Sequence, residues 1–287
     1  MEKNIYRSVQ PPSALAPFVR RFMIADCDRV VDLQVPARPT GYVYLGWVLQ
    51  GQATAVVNGA FEFDSNDSKT HISGQIRNAE ILMNIRGRFQ HVLAEFTALG
   101  AFQLLGVEGE DIFEKCVEVA SLDQALASDL EDRIDRFSPR TPDAGMAMFI
   151  DLLGEAAKDP RSVPDYLLKS VEQIETAHGG VRVGDICAEL GVSERQFSRS
   201  FSRVVGLSPK AFSKTLQVNR AIGLFFEEVQ QGLAETAVQS GFADQQHFTK
   251  VFKEVVLDSP MAFFSSDEDM LFTFLARSSR PRSDAEN

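Results

Sequence analysis

The sequence predicts an α+β protein, with a β-rich N-terminal part and an all-helical C-terminal part. Runs of β-branched and aromatic residues, separated by turn residues, fill positions 42–97. Apolar residues at helical spacing dominate from residue 165 onward. Within that C-terminal part, two stretches repeat one pattern, which predicts two helix-turn-helix units. A length of 287 residues accommodates two such domains.

The N-terminal part is predicted to form a small antiparallel sandwich or barrel. An arm over residues 1–21, with three prolines, precedes strand character at 18–35 and 42–97. Asn58-Gly59 separates two β-rich runs and is a strong hairpin signal. Several short strands joined by such turns are typical of a β-rich domain.

Helices follow the strands in the predicted order. Short helices are expected at 99–105 and 110–116, and longer amphipathic ones at 121–137 and 142–158. Residues 159–164 contain two prolines and no apolar periodicity, and are the best linker candidate. The predicted divisions are a sensing or dimerisation domain at 1–160, a helical domain at 161–266 and a tail at 267–287.

The repeat in the C-terminal part is visible residue by residue. Phe197, Phe201, Ser208 and Pro209 recur 51 positions later as Phe248, Phe252, Ser259 and Pro260. A glycine, at 191 or 241, precedes the second helix of each unit, and a small residue lies four positions before it. Each unit is therefore predicted to be a short helix, a turn and a second helix.

The second helix of each unit has an apolar side, formed around Phe197 and Phe201 or around Phe248 and Phe252. The opposite sides carry the residues that we predict to contact DNA, which are Arg195, Gln196, Ser198, Arg199 and Arg203 in the first unit and Gln245, Gln246, Thr249, Lys250 and Lys253 in the second. Arg and Lys donate to guanine or phosphate, and Gln pairs with adenine. One such helix could be a solvated face of a bundle, but two matched copies favour DNA binding.

This stretch resembles the DNA-binding domain of the AraC/XylS family of bacterial transcription regulators. The second unit matches best, through Gly241-Phe242, Asp244, Gln245, His247-Phe248, Phe252-Lys253 and Ser259-Pro260. The resemblance implies that helices near 193–204 and 244–255 read two successive major-groove segments, about 34 Å apart, of double-stranded DNA. It also implies action together with RNA polymerase. The N-terminal half is similar, through Phe96-Thr97 and residues 102–107, to the sensory half of some members, which implies an effector or dimerisation.

Two residues depart from the family pattern. Gln217 stands in the linking helix where the family usually carries Arg, so a backbone contact is expected to be lost. Leu257 precedes the final Ser-Pro where the family usually has Gly, and the first unit does have Gly206 there. Leucine is expected to disfavour a left-handed turn at that position.

The charge of the chain is acidic, with a formal net charge of −11. Residues 165–260 carry 10 Lys and Arg against 12 Asp and Glu, so the predicted DNA-binding part is not basic overall. Its positive charge is local, at Arg195, Arg199 and Arg203. Non-specific, salt-driven affinity for DNA is therefore expected to be modest, and specific contacts must carry a larger share.

The remaining patterns favour a cytoplasmic protein without cofactor, metal or catalytic chemistry. No run of 18 apolar residues predicts a membrane span, and the N-terminus does not resemble a signal peptide. Cys27, Cys116 and Cys187 are odd in number and far apart, as expected of reduced, buried thiols. His71, His91 and Glu95 could ligate a metal in a barrel, but the His-x-His pair of such sites is missing.

The sequence leaves two alternative functions open. The protein could be a small-molecule-binding or enzymatic β-barrel whose helical half packs on it without reading DNA. It could also bind DNA while its acidic half takes a protein partner in place of a small-molecule effector. A homodimer is predicted to form through the helices at 121–137 and 142–158; the alternative is that both apolar stripes are used inside the monomer.

Overall fold

The architecture was analysed in a computed structural model, which describes residues 6–121, 128, 129, 132, 133, 136, 141–227 and 232–265. Seven strands occupy its N-terminal part: β1 Tyr6–Val9, β2 Val19–Ala37, β3 Tyr44–Val57, β4 Ala60–Asp64, β5 Thr70–Ser73, β6 Ile81–Phe96 and β7 Cys116–Glu118. The expected β-rich domain is therefore present, and the Asn58-Gly59 turn joins β3 to β4 as predicted.

All seven strands belong to one antiparallel sheet. Its order is β1-β2-β6-β3-β5-β7, and β4 pairs with the second half of β3. The long strands β2, β3 and β6 form its centre, with Leu45 opposite Ala94 in β6 and Ile72 in β5. Register shifts near Val48 and between Asp26 and Val30 mark bulges, which increase local twist and let long strands bend.

The sheet buries apolar side chains on both faces, because successive side chains of a strand point to opposite sides. Phe22, Trp47 and Val92 face the helices of the N-terminal half, where Phe149 and Leu153 pack on them. The other face holds a second core around Phe63 and Phe89, whose buried members all come from strands. The sheet must therefore curl around that second core.

Helices complete the described chain: α1 Gly100–Leu105, α2 Pro142–Ala156, α3 Asp165–Thr176, α4 Val183–Leu190, α5 Glu194–Val205, α6 Pro209–Glu227, α7 Leu233–Gln239, α8 Gln245–Val256 and α9 Pro260–Ser265. The helix expected at 110–116 is wrong: turns fill most of this segment and β7 begins at Cys116. The backbone amide of Cys116 bonds to Glu62 and the strand pairs with β5, so sheet pairing outweighs the short helical pattern.

The linking helix α6 joins two compact units. Helices α3 to α5 pack with the first half of α6, around Phe197, Phe201 and Phe212. The second half of α6 packs with α7 to α9, around Ile222, Phe248 and Phe252. The chain thus forms two helix-turn-helix units, α4–α5 and α7–α8, as the repeat predicts.

The N-terminal half and the first unit share one hydrophobic core. Tyr42, Ala98 and Leu99 lie in the same buried cluster as Phe197 and Phe201. Polar contacts cross the same boundary, because the Tyr42 hydroxyl donates to Glu175 at 3.1 Å and the Arg161 amide donates to the Gln103 carbonyl at 2.8 Å. The segment that was expected to be a bare linker therefore lies against the N-terminal half.

Two sequence predictions lie outside this description. The helix at 121–137 and the tail beyond residue 265 fall mainly or wholly outside the described residues, and so do Leu130 and Ile134 of the proposed dimer seam. Among the described helices, none is long and apolar enough to cross a membrane.

Candidate nucleic-acid interface

The helices α5 and α8 begin and end in matching ways. Ser193 and Asp244 are their N-caps, and each side chain accepts a hydrogen bond from a backbone amide three residues on, at 3.3 and 2.7 Å. At their C-terminal ends, Gly206 and Leu257 adopt the left-handed conformation, with φ of 88° and 63°. The two helices thus have equal lengths and equal positions in the repeat.

The apolar side of each helix is buried as predicted. Phe197 and Phe201 of α5, and Phe248 and Phe252 of α8, are fully buried, and each pair of rings packs edge to face. This burial fixes which way the remaining faces point, because residues three and four apart lie on one side of a helix.

Most of the residues predicted to contact DNA lie on the exposed faces so defined. Eight of them are exposed, namely Arg195, Gln196, Arg199, Arg203, Gln245, Gln246, Lys250 and Lys253. Ser198 and Thr249 are half-buried, and the Thr249 hydroxyl donates to the Gln245 carbonyl at 2.8 Å. The Thr249 hydroxyl hydrogen is therefore already engaged, whereas its oxygen can still accept a hydrogen bond.

Arg203 differs from the other cations on the first helix. Its guanidinium lies 3.8 Å from the carboxylate of Glu108, which belongs to the loop after α1 in the N-terminal half. Arg203 sits in the last turn of α5, where a cation also favours the helix dipole. The structure therefore gives Arg203 a contact inside the protein that the sequence did not indicate.

The two departures from the expected pattern have clear positions. Gln217 contacts the protein backbone, since its side-chain amide donates to the Gly241 carbonyl at 3.5 Å. Leu257 adopts the left-handed turn despite its side chain, which is 52% exposed.

One exposed residue of α8 was missed by sequence reasoning. His247 lies in the first turn, on the solvent side, with its ring 5.6 Å from that of Phe242. The helical spacing from the buried Val251 does not predict that His247 is exposed. Its position next to Gln246, however, was a signal that it lies beside the residues predicted to contact DNA. A histidine there can donate to phosphate or to a base edge.

A second polar cluster lies where the N-terminal half meets the first unit. Arg20 stacks on the Tyr42 ring at 3.8 Å and lies 3.9 Å from Glu175 of α3 and 3.8 Å from Glu95 of β6. Arg21 also bonds to Glu95. Burial raises the pKa of Glu175, and Arg20 opposes that shift. These contacts join the two halves through charged groups that are largely removed from water.

The residues considered for a metal site are divided between two clusters. His71 and His91 meet on the strand core, with their Nε2 atoms 3.1 Å apart, whereas Glu95 bonds to Arg21 and Tyr44. Burial lowers the pKa of His71 to about 4, so the imidazole is neutral at pH 7. Within the described part of the chain, no three His, Cys, Asp or Glu side chains are placed to hold a metal ion.

The three cysteines are buried thiols that form no disulfide bond. Cys116 lies beside the histidine pair, with Sγ 3.7 Å from Nδ1 of His71, and receives a hydrogen bond from Ser73. Burial raises the pKa of Cys116 to about 12, so this thiol is not a thiolate at neutral pH.

Comparison with known proteins gives one family match and a set of distant structural neighbours. Residues 186–266 match a family model described as a helix-turn-helix domain, and this match runs from the middle of α4 to the end of α9. No curated protein sequence matches the chain.

The structural neighbours include several structures of ToxT from Vibrio cholerae. The crystal structure of ToxT from strain O395 is 13% identical, with a TM-score of 0.46, over 96% of this chain and 99% of that chain. A 1.65 Å structure of ToxT is 13% identical, with a TM-score of 0.43, over 86% and 99%. Unsaturated fatty acid bound wild-type ToxT from strain SCE256 is 14% identical, with a TM-score of 0.41, over 83% and 95%.

Proposed function

We propose that this protein is a DNA-binding transcription regulator of the AraC/XylS type, which reads two successive major-groove segments with α5 and α8. The match of residues 186–266 to a helix-turn-helix family model supports this proposal. In this proposal Arg195, Arg199, Gln246 and Lys250 make the principal base contacts. Arg203 and Lys253, in the last turns, contact phosphate.

The observation that carries the proposal is the pairing of two equivalent exposed faces. Each of the two helices buries a pair of phenylalanines and turns a basic and amide-rich face to solvent. A bundle helix that merely needed solubility would not repeat cations and amides at equivalent positions in two copies. Because the acidic surroundings oppose DNA, recognition rests on these faces rather than on overall charge.

The experiment is a selection of binding sites from a library of random duplex DNA by the full-length protein, followed by binding measurements at two salt concentrations. The proposal predicts one enriched sequence with two conserved elements, separated by about one helical turn. Enrichment of a single short element would leave only one helix as a reader. The absence of any enriched sequence would instead favour the rival reading, a β-barrel protein whose helical half does not read DNA.

Substitution of Arg199 by Ala tests base readout directly. Arg199 is exposed at the middle of α5, so its loss should weaken binding to the selected site by about 1–3 kcal/mol and binding to random DNA much less. Lys169→Ala, which removes a cation from the exposed side of α3, is the matched control and should change neither value appreciably. Equal losses on both DNAs would reassign Arg199 to a phosphate contact.

We also propose that the N-terminal half receives the regulatory signal, as an effector-binding or dimerising domain. The shared core around Tyr42 and Leu99 supports this, because a rearrangement of the sheet would reach the first unit directly. The domain boundaries after residues 160 and 266 are part of this proposal.

Sedimentation at micromolar concentration tests the homodimer, whose proposed seam includes Leu130 and Ile134. A monomer that still binds two sites cooperatively would end the dimer proposal.

A further inference from the structure

The N-terminal half touches α5 and α8 at the same place in the repeat. The amides of Gly109 and Glu110 donate to the carbonyls of Val204 and Arg203, both at 3.2 Å, in the last turn of α5. The Arg38 guanidinium donates to the Val256 carbonyl at 3.0 Å, in the last turn of α8. The two halves of the repeat are thus held at corresponding ends, away from the N-terminal turns that carry Arg195 and Gln246.

These contacts satisfy a real requirement of a helix end. The last four carbonyls of a helix have no partner within it and carry the negative end of its dipole, so amide and guanidinium donors are favourable there. In α8 the donor is a full positive charge, beside the strained left-handed turn at Leu257.

The contact on α5 is built for close approach. A Cβ atom on Gly109 would lie 2.3 Å from the Gly206 nitrogen, and one on Gly206 would lie 2.7 Å from the Gly109 carbonyl oxygen. Backbone meets backbone here, which only glycine permits on both sides. The ion pair between Glu108 and Arg203 flanks the same contact.

The contact on α8 comes from one short segment, residues 38–42, which we name the strap. Thr40 of the strap accepts a hydrogen bond from Asn219 of α6 at 2.8 Å. Gly41, with φ of 90°, lies against α6, since a Cβ there would be 3.4 Å from both Phe212 and Leu216. The strap therefore runs from the first unit, along the linking helix, to the end of α8.

The linking helix α6 connects the two units, but their cores are separate, so the attachment of the second unit to the N-terminal half depends on contacts outside those cores. The first unit shares a core with the N-terminal half, whereas the buried core of the second consists of residues between Val218 and Phe263 alone. The second unit is consequently joined to the N-terminal half by local polar contacts, among them those of Arg38 and Asn219.

We infer that Arg38 is a positioning residue for DNA reading: the strap fixes the end of α8 to the same body that holds α5, and so sets the spacing between the two reading faces. This inference rests on the proposed reading of two groove segments. It assigns to the N-terminal half a mechanical role in specificity that needs no ligand.

The first measurement requires no DNA. Spin labels on Glu194→Cys in α5 and Ala243→Cys just before α8, both exposed and outside the proposed reading set, report the distance between the starts of the two helices in the full-length protein. The native cysteines are buried, so labelling is selective. Arg38→Ala should broaden or shift the distance distribution, Arg38→Lys should largely restore it because an ammonium can still donate, and Arg88→Ala, an exposed arginine of β6, should leave it unchanged.

The second measurement uses the selected two-element DNA and versions with one base pair added or removed between the elements. The wild type should discriminate against the altered spacings. Arg38→Ala should lose about tenfold in affinity for the native spacing, as expected for the loss of one charged hydrogen bond, and should lose most of its discrimination. Binding to DNA that carries only the first element should not change.

The outcomes separate the two proposals. An unchanged distance distribution and unchanged spacing preference in Arg38→Ala would overturn the role of Arg38. A wild type that selects no DNA would overturn the proposed function, while the label distances would still decide whether the strap fixes α8. If Arg38→Ala does not fold, Asn219→Ala removes the other strap contact, and the same two measurements decide in the same way.

Discussion

At the scale of single residues, Leu257 shows both the reach and the limit of sequence reasoning. The repeat indicates that a left-handed residue is needed here, and the structure places Leu257 at φ 63°, matching Gly206 in the first unit. The repeat could not show how the strain is tolerated. Arg38 lies about 220 positions away in sequence and bonds to the adjacent Val256 carbonyl, and only the folded chain brings the two together.

Substituting Leu257 by Gly should stabilise the second unit by about 1 kcal/mol, because glycine removes the left-handed penalty and little apolar burial is lost from a half-exposed side chain. Urea unfolding of the full-length protein measures the change. Leu257→Ala is the matched control, since alanine keeps the strain and should give no gain. A glycine variant no more stable than the alanine variant would show that the turn is not strained.

At the scale of elements, regular periodicity was the reliable signal. The helices α5 and α8 were predicted within a residue or two of their ends, because apolar side chains recur every three or four residues and the caps are strong. The segment at 110–116 was assigned to a helix wrongly, because its fate depends on pairing between β7 and β5, which sequence pattern does not reveal.

The buried phenylalanines of α8 should dominate the stability of the second unit. Phe252 is fully buried and packs against Phe248 and Phe263, so Phe252→Ala should cost about 3–5 kcal/mol of unfolding free energy. Val238→Ala, at an exposed position of α7, should cost far less. Thermal melting measures both. A Phe252→Ala variant that melts like the wild type yet no longer binds DNA would mean that the assigned faces are reversed.

The histidine pair between β5 and β6 makes the sheet sensitive to acid. Burial lowers the pKa of His71 to about 4, and burial together with His71 lowers the pKa of His91. The unfolded chain, with a histidine pKa near 6.5, then binds more protons than the folded one below that pH. Stability is therefore lost as the pH falls from about 6.5 towards 4, by about 2 kcal/mol at pH 5 from His71 alone.

Fluorescence of Trp47, the single tryptophan and a buried residue of β3, follows unfolding of the sheet. Urea midpoints at pH 7.5 and pH 5 give the acid loss, which should shrink in His71→Gln because glutamine takes up no proton. Asp32→Asn, at an exposed position of β2, is the control and should keep the full loss. An identical loss in wild type and His71→Gln would locate the acid-sensitive group elsewhere.

At the scale of the whole molecule, sequence gave the order of the parts but not their attachment. Strand-rich and helix-rich halves could be separated from local pattern, and the exposed and buried faces of α5 and α8 could be assigned from the repeat. The hydrophobic core that the N-terminal half shares with the first unit could not be predicted, because in the sequence Tyr42 and Leu99 look like ordinary apolar residues of the N-terminal half. Contacts between residues that are distant in sequence produce no periodic pattern of apolar residues. These contacts determine how the two halves are joined, so the sequence pattern does not predict it.

This asymmetry predicts how residues 161–266 should behave when produced alone. The first unit would lose Tyr42, Ala98 and Leu99 from its core, whereas the buried core of the second unit lies wholly within the fragment. Burial of a large apolar side chain contributes about 1.5–3 kcal/mol, so the first unit should be markedly less stable in the fragment.

Hydrogen exchange in the fragment should therefore speed up in α3 to α5 and change much less in α8. The full-length protein at the same pH is the reference, because it carries the complete sheet that positions Tyr42 and Leu99. Equally faster hydrogen exchange in both units would show that the shared core does not stabilise the first unit in particular. Exchange in the fragment as slow as in the full chain would show that the stability of the helical domain does not depend on the N-terminal half.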